Sequence, residues 1–424
     1  MLPEVARDPR AALRILDAAR TLTEDERAYR HWDKVRYRKP LPAGLTAREW
    51  WCALKVLRAA TAQPLPLKAV GGWPVHVTSP IGLGDRLRRL GARLSSPGTR
   101  TASGAGEAAF RSGLFRESLS SSLIEGAATD RREALQLLTA ARPPRDLGER
   151  MVLNNYRALR RVAEVARLPM TPARLREIQA LLTDGTLRDA GQVGRFRTAA
   201  DRIVLRKGDE VVFTPPSAEG LPGRMAALCD FANGDEGLGA PRDPVLRAIL
   251  LHYWLAYEHP FADGNGRTAR ALFHWSMLRS GHAEVARFSL SSAILADLGA
   301  YHRAFQDAES DAGDATYFVL NQVAMLERAL GIDEAAGGSD TPSFVEETRE
   351  SGGPLPRGLN GRQRALMAEL RRDPHLVHTL PGYRDLHGVT HMTAWRDLEG
   401  LRRRRLLAVG PRQGRAVTYV ARGV

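Results

Sequence analysis

The chain has 424 residues, 43% hydrophobic and 26% charged, the balance of a globular protein with room for two or three domains. No apolar run approaches membrane-spanning length, and Met1-Leu-Pro-Glu-Val-Ala-Arg-Asp8 lacks the charged-then-apolar pattern of a secretory signal, so a cytoplasmic protein is expected rather than a membrane or secreted one. The net charge of +14 is unevenly placed: residues 355–424 carry fourteen arginines against five acidic residues, an asymmetry that points to a polyanionic partner.

Residues 1–100 are expected to form a leading helical unit. Asp8 to Arg20 is a short amphipathic pattern, and Thr46-Ala-Arg-Glu49 is a capping box opening a helix through Trp50, Trp51, Leu54 and Leu57. Trp32, Trp50, Trp51 and Trp73 are four of the chain's seven tryptophans and are read as helix-packing aromatics. Cys52 and Cys229 lie far apart at no metal-binding spacing and are read as reduced, buried thiols. Ser95 to Gly104 reads as a loop, and a helix follows over Phe110–Gly126. On it Ser121 and Glu125 are i, i+4 neighbours, and Gly126 permits a helix stop. Two helices are expected around Glu149–Arg160 and Thr171–Leu182, the second with Pro172 at a natural first position. A β signal covers Gly194–Arg197, Arg202–Leu205 and Glu210–Thr214, with Arg206-Lys-Gly-Asp209 as the turn of a hairpin.

The most informative stretch is His259-Pro-Phe-Ala-Asp-Gly-Asn-Gly-Arg-Thr-Ala-Arg270. A buried amphipathic helix over Pro244–Glu258 runs into it, and Pro260 predicts that this helix stops at His259. Asp263-Gly-Asn-Gly266 reads as a turn whose N–H groups converge on an anion, and Arg267 to Leu278 as the next helix. Arg267 and Arg270 are placed to fork onto phosphate oxygens, Asp263 to supply an oxygen to Mg²⁺, and His259 to accept a hydroxyl proton near neutral pH. Together they read as nucleotide transfer to a hydroxyl. Zinc between His252 and His259 finds no third ligand at useful spacing, and His252 reads as a core or rim histidine. Further on, Tyr301 is a candidate for stacking on a base and equally for a core aromatic.

After a Gly- and Pro-bearing linker over 331–356, residues 357–424 resemble a winged helix-turn-helix. Asn360–Leu370 is its first helix and Gly388 suits its turn. Thr390 caps a candidate recognition helix through Leu401, and two strands flank a basic wing at Gly410–Arg415. Thr390, His391, Thr393, Arg396, Arg412 and Arg415 are the candidate contacts to double-stranded DNA.

The pattern His-x-Phe-x-Asp-Gly-Asn-Gly-Arg-x-x-Arg, complete over His259–Arg270, resembles the active-site motif of Fic-domain proteins. The resemblance implies a mainly α fold: an all-helical Fic core over 106–330 with a β-hairpin flap that holds the target segment, followed by the winged helix. It implies a protein adenylyltransferase that moves AMP from ATP, with Mg²⁺, to a Ser, Thr or Tyr hydroxyl of a protein, itself included. His259 would activate the hydroxyl, Asp263 hold Mg²⁺, Gly264, Asn265 and Gly266 cradle the inner phosphates, Arg267 and Arg270 engage the outer ones, and Phe261 anchor the loop. Ser121-x-x-x-Glu125-Gly126 resembles the family's inhibitory motif, which implies that Glu125 pairs with Arg270 and restrains the enzyme in cis. Two alternatives stand beside this: removal of AMP with Glu125 orienting a water, and a DNA-bound regulator whose Fic core senses nucleotide. A homodimer is common for the inferred fold.

Overall fold

The computed structural model describes residues 9–20, 28–41, 44–95, 104–207, 209–235, 237, 239–332, 356, 358–372, 376–387, 389–413 and 416–422. Most of the loop expected over 95–104, most of the linker over 331–356, Gly388 and Arg415 lie outside the described residues.

Near the N-terminus, α1 (Pro9–Ala19), α2 (Trp32–Val35) and α3 (Ala47–Ala59) bury Ile15, Val35, Trp50, Trp51 and Leu54 in a small cluster of their own. The predicted capping box is formed: Thr46 Oγ1 accepts from the Glu49 N–H at 3.2 Å, and the Glu49 carboxylate accepts from the Thr46 N–H at 2.8 Å. Trp32 is partly buried against this cluster, whereas Trp73 is exposed. Besides its helices, the leading unit holds an antiparallel hairpin of β1 (Gln63–Lys68) and β2 (Pro74–Val77) that the sequence reading did not mark. Pro64, Pro66 and Pro74 argue against strands in a wide sheet, but they are tolerated in a two-stranded ribbon whose outer edges need no ladder bonds. Leu65, Leu67, Val75 and Val77 pack into the main core, as does α4 (Leu83–Ser95) through Leu87, Leu90 and Leu94. The change of core falls near residue 60. Arg58 ties the two cores together, its guanidinium 3.8 Å from the Tyr29 ring and donating to Tyr317 Oη at 2.8 Å.

The main body is helical. It comprises α5 (Gly104–Ile124), α6 (Arg131–Thr139), α7 (Leu147–Val165), α8 (Pro172–Thr183), α9 (Leu221–Asn233), α10 (Pro244–Glu258), α11 (Asn265–Arg279), α12 (Leu290–Ala296), α13 (Leu298–Ser310) and α14 (Thr316–Ala329). The central pair, α10 and α11, is buried almost all round, with Trp254, Phe273 and Trp275 at no more than 1% exposure. α10 is accordingly apolar on nearly every side, whereas α11 buries Arg267, Thr268, Arg270, His274 and Ser276 among its apolar residues. The flap is shorter than predicted: β3 (Leu205–Lys207) pairs with β4 (Glu210–Phe213), while Gly194–Arg197 is not a strand. Its backbone is used elsewhere, the Arg197 N–H donating to the Pro260 carbonyl at 2.8 Å.

The C-terminal unit has its own core, built from Leu366, Leu370, Leu376, Tyr383, Leu398, Leu401, Leu407 and Tyr419. Its order is α15 (Gly361–Arg372), β5 (His378–Thr379), α16 (Leu380–His387), α17 (His391–Arg403), β6 (Leu407–Gln413) and β7 (Ala416–Ala421), with the sheet ordered β5-β7-β6. The unit docks on the main body. Thr379 Oγ1 donates to the Ala140 carbonyl at 2.8 Å, Thr139 Oγ1 to the Val377 carbonyl at 3.1 Å, and Arg160 to the Asp385 carbonyl.

Candidate active site

The site lies where α10 ends and α11 begins. The predicted stop at Pro260 is present, but His259 adopts a left-handed backbone (φ 48°, ψ 56°) rather than an extended one. A non-glycine residue there costs on the order of 1 kcal/mol and persists only where its surroundings enforce it. Arg197 does so. Its Nε donates to the His259 carbonyl at 2.7 Å, and its Nη2 to the carbonyls of Glu258 at 3.1 Å and Pro216 at 2.6 Å. Glu258 is in turn held by Arg224, whose Nε reaches both carboxylate oxygens at 2.9 and 3.0 Å. Burial, with Arg197 nearby, pushes the His259 imidazole down to about 4, so it is unprotonated at neutral pH. Its Nδ1 lies 3.3 Å from the Ala256 carbonyl; with the proton on that nitrogen, Nε2 keeps the lone pair a base needs.

The loop between the helices is fixed from within. Phe261 is fully buried and packs on Phe196, and the Asn265 side chain bridges the Phe261 N–H and carbonyl at 2.9 Å each. Asn265 therefore serves the loop with its side chain and leaves only its N–H for an anion. Gly264 caps α11 with φ 80°, and a Cβ there would fall 2.8 Å from Thr183 Cγ2, so the position requires glycine on both counts. Gly266 lies inside the first turn of α11 rather than in the preceding turn as expected. The first helical N–H bond is Thr268 to the Gly264 carbonyl, so the N–H groups of Asn265, Gly266 and Arg267 precede the ladder and form an anion-binding end. Gln179 supports the approach, donating to the Asp263 carbonyl at 3.0 Å and accepting from the Gly194 N–H at 2.7 Å.

The two arginines diverge. Arg267, 1% exposed, donates to the Leu182 carbonyl at 3.1 Å and to Asp263 Oδ2 at 3.3 Å. Arg270 turns towards α5, where its Nε donates to Ser121 Oγ at 2.8 Å and its Nη2 to the Ser121 carbonyl at 3.0 Å and Glu125 Oε1 at 2.8 Å. Glu125 stands one residue beyond α5, whose chain turns away at Gly126 with φ 86°. A Cβ on Gly266 would fall 2.3 Å from Glu125 Oε1, which shows how closely the carboxylate lies against the first turn of α11. Burial pushes the Glu125 pKa up, but Arg270, Arg267 and His259 outweigh it and hold it below the usual carboxylate range.

Tyr301 lies in the core. It is 5% exposed, its hydroxyl lies 3.0 Å from His252 Nε2, and its ring meets Phe305 edge-on, so it is a core aromatic with no face open to a base. His252 is likewise fully buried. The Asp263 side chain is about half exposed; no cluster of three or more His, Cys, Asp or Glu occurs among the described residues. In the C-terminal unit Thr390 caps α17 by accepting from the Thr393 N–H at 3.3 Å, with His391 and Arg396 exposed beside Met392 (55%) and Trp395 (41%). Arg412 lies in β6. Sequence reading missed Arg197, Gln179 and Arg224 because each acts on the loop or on the helix end before it from a distant segment.

The family model of the Fic/DOC family matches residues 169–277, from the loop before α8 to the end of α11, and so includes His259 through Arg270. This segment is a Fic/DOC domain. Ser121, Glu125 and Gly126, on and beside α5, precede the matched stretch. The chain is 42% identical over 97 residues to the protein adenylyltransferase fic-1 of Caenorhabditis briggsae and 44% identical over 97 residues to that of Caenorhabditis elegans. Each match spans 23% of this chain and only 17% of the worm protein. The structure is also similar to a Fic family protein of Desulfovibrio desulfuricans G20, with TM-score 0.48 and 20% identity over 80% of this chain and 96% of that one. Against C. elegans Fic-1 (aa134–508) the TM-score is 0.46, with 23% identity over 60% of this chain and 74% of that one.

Proposed function

We propose that the protein is a Mg²⁺-dependent protein adenylyltransferase held off by its own Glu125. The observation that carries this reading is the Glu125–Arg270 pair at 2.8 Å, seated against the N-terminal turn of α11 beside an unprotonated His259. In the reaction, His259 takes the proton of a Ser, Thr or Tyr hydroxyl and the hydroxyl oxygen bonds to the α-phosphorus of ATP. The bond from that phosphorus to the bridging oxygen breaks, and pyrophosphate leaves with the electron pair. The free N–H groups of α11 and Arg267 bind the phosphates. Arg270 is the group that would reach the outermost phosphate, and Glu125 now occupies it. Asp263 fits a Mg²⁺ shared with phosphate oxygens, since its carboxylate is half exposed and such a cation needs only one or two protein oxygens. The metal would neutralise phosphate charge. The hairpin β3–β4 is the candidate edge for a target segment. Buried free Cys52 and Cys229 suit a cytoplasmic setting.

The deciding experiment incubates the protein with Mg²⁺ and α-labelled ATP. Self-labelling should be faint for the parent, strong for Glu125→Gly, and absent when His259→Ala is added. A dark Glu125→Gly that still binds ATP would remove the reading.

The charge of residues 355–424, with exposed His391 and Arg396 at a Thr390-capped helix, supports a second role for the C-terminal unit as a winged helix on double-stranded DNA. Thr393, Arg412 and Arg415 complete the proposed contact set. A salt-sensitive duplex shift that disappears on deleting residues 355–424 is expected; no shift at low salt would end that proposal.

A further inference from the structure

Along α5 and the residue that follows it, Gly113, Glu117, Ser121 and Glu125, spaced by four, form one stripe that faces the main body. Ser121 and Glu125 receive Arg270. One turn back, the fully buried Glu117 makes the same kind of contact to α11 and α12. Its Oε1 lies 3.4 Å from His274 Nε2 and accepts from Ser291 Oγ, while its Oε2 accepts from Ser289 Oγ at 2.8 Å and the Ser291 N–H at 3.0 Å. Gly113 completes the stripe, for a Cβ there would fall 2.1 Å from the Ala286 carbonyl oxygen. On α11 the partners are also spaced by four, as Gly266, Arg270 and His274. Two antiparallel helices are thus cross-linked by successive polar rungs. Although burial pushes the Glu117 pKa up, His274 and the Ser291 donors hold it down to about 2, so the rung carries a charge at neutral pH.

We infer that Glu117 is a positioning residue for the inhibition: its buried rung to His274, Ser289 and Ser291 locks the register of α5 and so keeps Glu125 on Arg270. The inference rests on the proposed restraint by Glu125. Glu125 lies past the last helical residue, and its place is set by where α5 sits along its axis. A shift of α5 by one turn would carry the Glu117 carboxylate away from all its donors inside the core, a strongly unfavourable state for a buried charge. Glu117 contacts none of the residues proposed to bind nucleotide, but its charge is felt at Arg270, so Glu117→Gln, which removes the charge and keeps the rung, separates charge from position.

The test measures ATP affinity and self-labelling together on the full chain. Glu117→Ala should tighten ATP binding roughly tenfold and raise labelling. Glu117→Gln, which keeps an oxygen for Ser291, should stay near the parent. In the Glu125→Gly background Glu117→Ala should add nothing, since the group it positions is gone. Where Glu117→Ala melts below assay temperature, the paired Glu117→Leu and His274→Leu replacement, which removes the buried charge together with its partner, carries the same test. A folded variant with the parent's ATP affinity overturns the inference, and so does an increase that persists undiminished beside Glu125→Gly. If Glu125→Gly and Glu117→Ala both tighten ATP binding but neither is labelled, the transfer reading fails and the rung stands. If Glu125→Gly leaves ATP affinity unchanged, restraint and rung fall together.

Discussion

At His259 the base of the proposed reaction owes its neutral form to the burial of its imidazole. With burial holding it at about 4, the unprotonated form persists well below the ordinary histidine value of 6.5. The pH dependence follows: a depressed pKa keeps the base active as pH falls through 6.5 and loses it only near the lower value. Self-labelling by Glu125→Gly should therefore stay level from pH 8 to about pH 5.5 and decline towards pH 4. A midpoint near 6.5 would mean that His259 is solvated. Arg197 controls the same atom from the other side. Its removal frees the His259, Glu258 and Pro216 carbonyls, and a misplaced base should lower the labelling rate roughly a hundredfold with ATP affinity little changed. The contiguous residues His259, Asp263, Gly264, Arg267 and Arg270 were legible in sequence because one loop carries them all. Arg197, Gln179 and Glu117 were not, because each lies far along the chain from the group it holds and only tertiary packing joins them.

At the scale of elements, legibility followed local chemistry. The capping box at Thr46, the stop before Pro260 and the first-turn Pro172 all act within a few residues, and the helices they mark are present. The hairpin β1–β2 escaped because three prolines obscure it, and Gly194–Arg197 was misread because its apolar Phe196 serves the loop core, not a sheet. Close helix approach was equally hidden. Gly113 reads as a weak point in a helix, yet it is what lets α5 lie against the backbone of residues 286–287. Gly113→Ala should consequently destabilise the protein by about 1–3 kcal/mol despite alanine's better helix propensity, and a denaturant melt would register it. An unchanged or raised midpoint would show that α5 has room to spare.

For the whole molecule, the division into cores follows apolar patterning, but the docking of the C-terminal unit onto α5 and α6 could not be read from it. The joint is tight: a Cβ on Gly382 would fall 2.0 Å from the Thr139 carbonyl oxygen, and the Tyr156 hydroxyl donates to the Leu386 carbonyl at 3.4 Å. Beside this joint burial holds His378 at about 3, and burial together with Arg111, Arg362 and His378 holds His387 at about 2. In the unfolded chain both titrate near 6.5, so above that pH neither affects stability. Below it the unfolded unit takes up protons that the folded one refuses, and each histidine costs about 1.4 kcal/mol per pH unit until its folded value is reached. A core as small as this one has little to set against that. Acidification from pH 7 to 5 should therefore open the C-terminal unit before α10 and α11, seen as loss of hydrogen-exchange protection after correction for intrinsic rates. His378→Leu should reduce the pH slope by about half if the two histidines contribute alike. Because α15 packs on α5, loss of the docked unit also removes a neighbour of the helix that carries Glu125, and labelling by the parent protein should rise over the same pH interval. Constant labelling through an exchange-detected opening would show that α5 holds its register through Glu117 and Arg270 without the C-terminal unit.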